Sequence, residues 1–97
     1  MKAIITVGYG AGLSDWNDPK LAIDQRVVEA FEKNPKMSVD EFKALCESCG
    51  YDDVFIIKED LEIMEVVEVP DDVYFRIISY DGWEQVEIFD PDKWFHS

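Results

Sequence analysis

Asp81-Gly82 constrains this chain more than any other feature of its sequence. A two-residue hairpin turn of type I′ needs positive φ at both central positions, and Asp-Gly supplies it at little cost. The flanking runs, residues 73–80 and 83–89, are rich in β-branched and aromatic residues and read as strands. A two-residue turn also fixes the register. Tyr80 is predicted to oppose Trp83, Ile77 to oppose Val86, Arg76 to oppose Glu87 and Phe75 to oppose Ile88. Side chains alternate with period two, so Phe75, Ile77, Val86 and Ile88 are expected on the core face. Arg76 and Glu87 then pair on the outer face, beside Tyr80 and Trp83.

The other segments read as follows. Residues 1–7, MKAIITV, are a strand stopped by glycine. Three glycines, a proline and several turn formers make residues 8–19 a long, flexible loop. Residues 20–33 carry Ile23, Val27, Ala30 and Phe31 at helical spacing, and Asn34-Pro35 ends that helix. Ser38 and Glu41 form a capping box ahead of Phe42, Leu45, Cys46 and Cys49, with Gly50 at the stop. Residues 54–57 and 61–69 are further strands, and Pro70-Asp71-Asp72 is a turn. A smooth strand over 61–69 would put Glu65 on the apolar side, so a bulge near Met64 is expected there. The aromatic tail, residues 90–97, is expected to pack. Together these give one α+β domain over residues 1–97, an antiparallel sheet of about four to five strands with two helices packed on one face.

Apolar residues make up 47% of the 97, enough to bury a core. The 22 acidic and 9 basic residues leave a formal charge of −13. A charge of that sign excludes direct nucleic-acid or anionic-membrane binding as the first expectation and favours a basic partner. No apolar run approaches the roughly 20 residues that span a bilayer. Residues 1–8 lack a cleavage-site pattern and read as no signal peptide, so a reducing cytoplasm with free thiols is expected.

The charge is unevenly placed. Residues 52–92 hold 14 acids against Lys58 and Arg76 alone. Carboxylates at i and i+2 on a strand repeat at roughly 6.6–6.8 Å, of the order of phosphate spacing along a nucleic acid. Rows of them could occupy a basic groove built for phosphates. Glu62, Glu65, Glu68, Asp71, Asp72, Glu84, Glu87, Asp90 and Asp92 are the candidates. Trp16, Trp83 and Tyr80 are candidate anchors, because Trp and Tyr dominate binding hot spots. The competing reading is plain solubility, with Trp16 folding the glycine loop onto the core and Trp83 packing on Tyr80.

Catalytic and metal motifs fail on detail. Gly8-Tyr9-Gly10-Ala11-Gly12 follows a strand but lacks the third glycine of a dinucleotide fingerprint and the Lys-Ser/Thr of a P-loop. Cys46-Glu47-Ser48-Cys49 lacks two further zinc ligands and lies late in a helix, so both thiols read as core residues. Residues 15–18 lack the series of a calcium loop. Ser14 is in no nucleophile elbow, and His96 is the sole histidine. The expectation is a non-enzyme without cofactor or metal.

Residues 2–17, KAIITVGYGAGLSDWN, and residues 67–88, VEVPDDVYFRIISYDGWEQVEI, resemble small proteins of tailed bacteriophages, most of them without assigned function. The resemblance implies a viral protein acting in the bacterial cytoplasm. The functional expectation is an inhibitor or host-takeover protein. Its acidic, nucleic-acid-mimicking surface would bind a basic host protein such as a CRISPR effector or restriction enzyme. One alternative is a structural or homo-oligomeric module whose charge serves solubility. A second is nucleotide sequestration by the glycine loop.

Overall fold

The computed structural model describes residues 1–88 and the backbone of Phe95–His96. It is an α+β structure. Strand β1 (Lys2–Thr6) leads through a loop and a 3₁₀ turn (Pro19–Ile23) to helices α1 (Gln25–Lys33), α2 (Val39–Ser48) and α3 (Lys58–Glu62). Strands β2 (Met64–Glu68), β3 (Tyr74–Tyr80), β4 (Trp83–Ile88) and the two-residue β5 (Phe95–His96) follow.

The hairpin register is as the sequence predicts, from Phe75 opposite Ile88 to Tyr80 opposite Trp83. Asp81 and Gly82 both have positive φ, as the I′ turn requires. Helix α2 carries its capping box, with the Glu41 amide donating to Ser38 Oγ and the Ser38 amide donating to Glu41 Oε1. Gly50 takes the left-handed stop at φ +94°.

The single sheet of four to five strands is not what forms. Among the described residues β1 pairs only with β2, antiparallel, and β3 pairs with β4 and β5 in a second sheet. Part of the cause lies on the outer edge of β1, where side chains take the Lys2 amide and carbonyl and the Thr6 amide. The Gln25 carboxamide accepts from the Lys2 amide at 3.3 Å and donates to the Lys2 carbonyl at 2.8 Å. The Glu84 carboxylate accepts from the Thr6 amide at 3.0 Å. These satisfy edge groups that a further strand would otherwise use.

The helices also differ from expectation. Three α-helices form among the described residues, and the stretch 20–33 is broken at Asp24. Asp24 is extended (ψ 111°) and caps α1 by accepting from the Arg26 amide. Asp is a strong N-cap because its carboxylate satisfies an orphan amide. Residues 54–57 form no strand and join no sheet. The Asn17 side chain instead accepts from the Phe55 amide and donates to its carbonyl, each at 2.8 Å. The expected strand over 61–69 starts only at Met64, after α3 ends. That helix-to-strand junction resets the alternation and leaves Glu65 exposed without a bulge.

Two apolar clusters result. Ile4, Met64 and Val66 of the first sheet pack with Val27, Val28, Phe31, Phe42 and Cys46 of the helices. Ala3 and Val67, on the opposite face, pack with Phe75, Ile77 and Val86 of the hairpin. The β1–β2 pair is therefore a middle layer, and Ala3 to Thr6 is buried on both faces. Ile88, expected in the core, is 53% exposed at the strand end. The expected packing of the tail, residues 90–97, lies outside what is described. No helix among the described residues is long and apolar enough to cross a membrane.

Candidate functional site

The two-residue turn brings Tyr80 and Trp83 opposite each other on the face of the hairpin turned away from β1–β2. A third ring joins them from the glycine loop. The Gly10 amide donates to the Asp81 carbonyl at 3.0 Å, and a Cβ on Gly82 would collide with the Gly10 backbone. Only a glycine at position 82 permits so close an approach, while a Cβ on Gly10 would collide with the Asp60 carboxylate instead. The approach delivers Tyr9 onto Trp83, edge to face, with centroids 5.2 Å apart and planes at 83°. Tyr9, Tyr80 and Trp83 are 67%, 74% and 47% exposed. With Gln85 they line an open cleft of about 300 Å³. The sequence flags Tyr80 and Trp83 but not Tyr9. Its place beside Trp83 depends on the Gly10–Gly82 contact between distant segments.

Trp16 does not fold the loop onto the core. It is exposed and rests on Phe55, with centroids 5.7 Å apart, as a separate aromatic pair. A larger groove of about 470 Å³ lies between Pro35–Val39 and α3, lined by aliphatic residues, two lysines, Ser38 and Glu62. It holds no aromatic residue and no histidine.

The glycine loop is tied down. The Ala11 amide donates to Asp60 Oδ1 at 3.1 Å and the Ser14 amide donates to Glu84 Oε2 at 2.9 Å. With the Gly10 amide on Asp81, three amides that a phosphate cradle would offer already serve internal oxygens. Two of those acceptors are carboxylates, which would repel a phosphate.

Glu84, expected at the surface, is 1% exposed. It alternates with Val86 on the inner face of β4. Its Oε1 accepts from the Thr6 amide, and Thr6 Oγ1 lies 3.0 Å from Glu84 Oε1 and 2.6 Å from the Gly82 carbonyl. Its role is to join the two sheets and the loop. Asp60 is likewise fully buried, and its Oδ2 has no hydrogen-bond partner among the described residues.

The remaining carboxylates do not form rows on neighbouring strands, because β2 is in a different sheet from β3 and β4. Glu62 lies 3.8 Å from Lys58 on α3. Glu65 and Glu68, three positions apart, leave opposite faces of β2; Glu68 sits opposite Lys2. Asp71 meets the N-terminal ammonium at 3.3 Å, and Asp72 completes an exposed turn. Glu87 faces Arg76 across the hairpin at 3.8 Å. Asp90 and Asp92 lie outside the described residues. Asp60 and Glu84 apart, every acid from Asp52 to Glu87 still reaches solvent.

No protein-family model, curated protein or solved structure matches this chain.

Elsewhere, Cys46 is buried in the core, and burial followed by its neighbour Cys49 pushes its thiol up to about 12. A thiol so held is a poor nucleophile at neutral pH. Hydrogen bonding from the Arg26 side chain, then from Tyr51, pulls the Asp24 carboxyl down to about 2 against the cost of burial. No group of three or more His, Cys, Asp or Glu placed to hold a metal ion occurs among the described residues.

Proposed function

We propose that this chain is a binding protein, with no catalytic role, that occupies a basic surface of a nucleic-acid-handling host protein and so inhibits it. The observation that carries the reading is the outward negative field of residues 52–88. Their only bases, Lys58 and Arg76, each face a local carboxylate, and all but two of their acids reach solvent. A basic groove evolved to neutralise phosphates is attracted by such a field. The carboxylates wrap α3, β2, the 71–72 turn and the hairpin, so attraction and steering are supported better than a phosphate-by-phosphate copy. The resemblance expected from residues 2–17 and 67–88 directs the proposal to a bacterial host, with a defence complex as the first candidate.

The test is capture from bacterial lysate followed by competition. Added duplex DNA should displace the captured protein, and the triple variant Glu62→Lys, Glu65→Lys, Asp71→Lys should capture less of it with a shallower salt dependence. Capture indifferent to both DNA and charge reversal would remove the reading.

A further inference from the structure

We propose that the Tyr9–Tyr80–Trp83 cleft is the docking site for an arginine side chain of the basic partner. The inference rests on the binding reading above and names the contact that anchors it.

The physical case begins with the rings. Three aromatic side chains stand about half or more in water at the tip of the hairpin and the loop beside it, outside both core clusters. Tyr9 and Trp83 stand at 83° to each other, so they form two walls of a corner. Tyr80 and Gln85 complete the lining of the cleft. An aromatic face carries negative quadrupole charge and attracts a cation placed over it. None of the four lining residues is cationic, and the turn between Tyr80 and Trp83 adds the exposed carboxylate of Asp81. The whole chain, at −13, deepens the potential for any cation that arrives.

The choice of arginine over lysine follows from the cleft's shape. At about 300 Å³ it is at the small end of ligand pockets and lies open to solvent, so it cannot strip a strongly hydrated ammonium. A guanidinium is planar and weakly hydrated and stacks on aromatic faces. The Gln85 amide oxygen and the two phenol oxygens are available to accept its N–H groups. The site is also stiff. The Gly10–Asp81 hydrogen bond and the Gly10–Gly82 contact lock the loop to the turn, so little ordering is left to oppose binding.

The experiment uses the full chain and two peptides of equal charge, one alternating Arg with Ser and one alternating Lys with Ser. The probes are the indole N–H resonances, with that of Trp83 identified by its loss in Trp83→Phe. The expected result is that the Arg peptide binds about three- to tenfold more tightly than the Lys peptide. It should shift the Trp83 indole ahead of the Trp16 indole. Trp83→Leu and Tyr80→Leu should each erase the Arg preference; Tyr80, the most exposed of the three rings, is the safer substitution should Trp83→Leu fail to fold. Equal binding of the two peptides, with shifts spread over the carboxylate-bearing segments, overturns the cleft but leaves the charge-driven reading standing. A Trp83 shift that depends on protein concentration without peptide shows a second copy in the cleft and also overturns it. No binding of either peptide overturns both readings together.

Discussion

The Glu84 carboxylate holds together three parts of the chain that share no strand pairing. It accepts from the Thr6 amide of β1 and the Ser14 amide of the loop while sitting on β4. Removing a buried acceptor leaves its donors without partners, and each orphan costs about 1–3 kcal/mol. Glu84→Ala should therefore destabilise the fold by about 2–4 kcal/mol, read as a shift in the urea midpoint. Glu84→Gln keeps one oxygen but turns an amino group toward a donor, and should cost less. Equal, negligible losses in both variants would mean that solvent reaches these amides after all. The burial of Glu84 was legible in part. The register that puts Val86 inside puts Glu84 inside too, by period two alone. What the hairpin could not reveal was the reason to tolerate a carboxylate there, because Thr6 and Ser14 lie some seventy positions earlier in the chain. Gly10 and Gly82 follow the same logic. Each reads locally as a turn former, and only distant contacts show why no Cβ fits: the Gly10 backbone at Gly82, and the Asp60 carboxylate at Gly10. Gly82→Ala should be worse than Gly50→Ala, since both have positive φ but only Gly82 presses on another backbone. Thermal melts of the two variants decide this.

Single elements here end where a polar side chain takes over a backbone bond. Asp24 splits the apparent helix of residues 20–33, Gln25 closes the edge of β1 and Asn17 closes the segment around Phe55. Helix α2 and the β3–β4 hairpin were readable because their signals are local: a capping box, a glycine stop, an Asp-Gly turn. The break at Asp24 and the unpaired segment 54–57 were not, because the hydrophobic spacing fits a longer helix in the first case and a strand in the second. Asp24 gives a test at this scale. Its carboxyl lies at about 2 in the folded protein against 3.8 ordinarily, chiefly through the Arg26 side chain. The folded state thus binds its proton less readily than the unfolded state. Its contribution is complete above the ordinary value, fades as the pH falls from about 4 to 2, and is gone below that. With Asp24 mostly shielded but the Arg26 guanidinium exposed, screening limits the contribution to roughly 1–2 kcal/mol. Asp24→Asn should lower stability by that amount at neutral pH and by almost nothing near pH 2, measured as the difference between paired urea melts. A difference that stays constant with pH would assign the effect to shape rather than charge. The same substitution should let Tyr51 ionise earlier, because burial and then Asp24 hold its phenol up at about 12.

Across the whole molecule, local hydrogen bonds and long-range charge pull in opposite directions. The fold class followed from the segments, but the division into two sheets did not, since it depends on which edge of β1 is sealed. Nor did the sequence mark Asp60 as an acid of the interior; it and Glu84 are buried, and the rest of those from Asp52 to Glu87 reach solvent. A net charge of −13 within extents of 36 × 26 × 22 Å repels itself. The screening length is about 30 Å at 0.01 M salt, comparable with the molecule, so every carboxylate then feels most of the others. At 0.15 M it falls to about 8 Å, shorter than the 12.6 Å radius of gyration, and only near neighbours interact. The exposed ion pairs, such as Lys2–Glu32 and Arg76–Glu87, lose little on screening because each contributes at most about 1 kcal/mol. Relief of repulsion should win. Raising sodium chloride from 0.01 to 0.15 M should increase Tm by several degrees, given about 4–8 °C per kcal/mol for a domain of this size. The triple variant Glu62→Lys, Glu65→Lys, Asp71→Lys should show a smaller rise and melt higher at low salt. A Tm that falls as salt is added would mean that the paired charges outweigh the unpaired ones. The outward field on which the binding proposal stands would then be weaker than the formal charge implies.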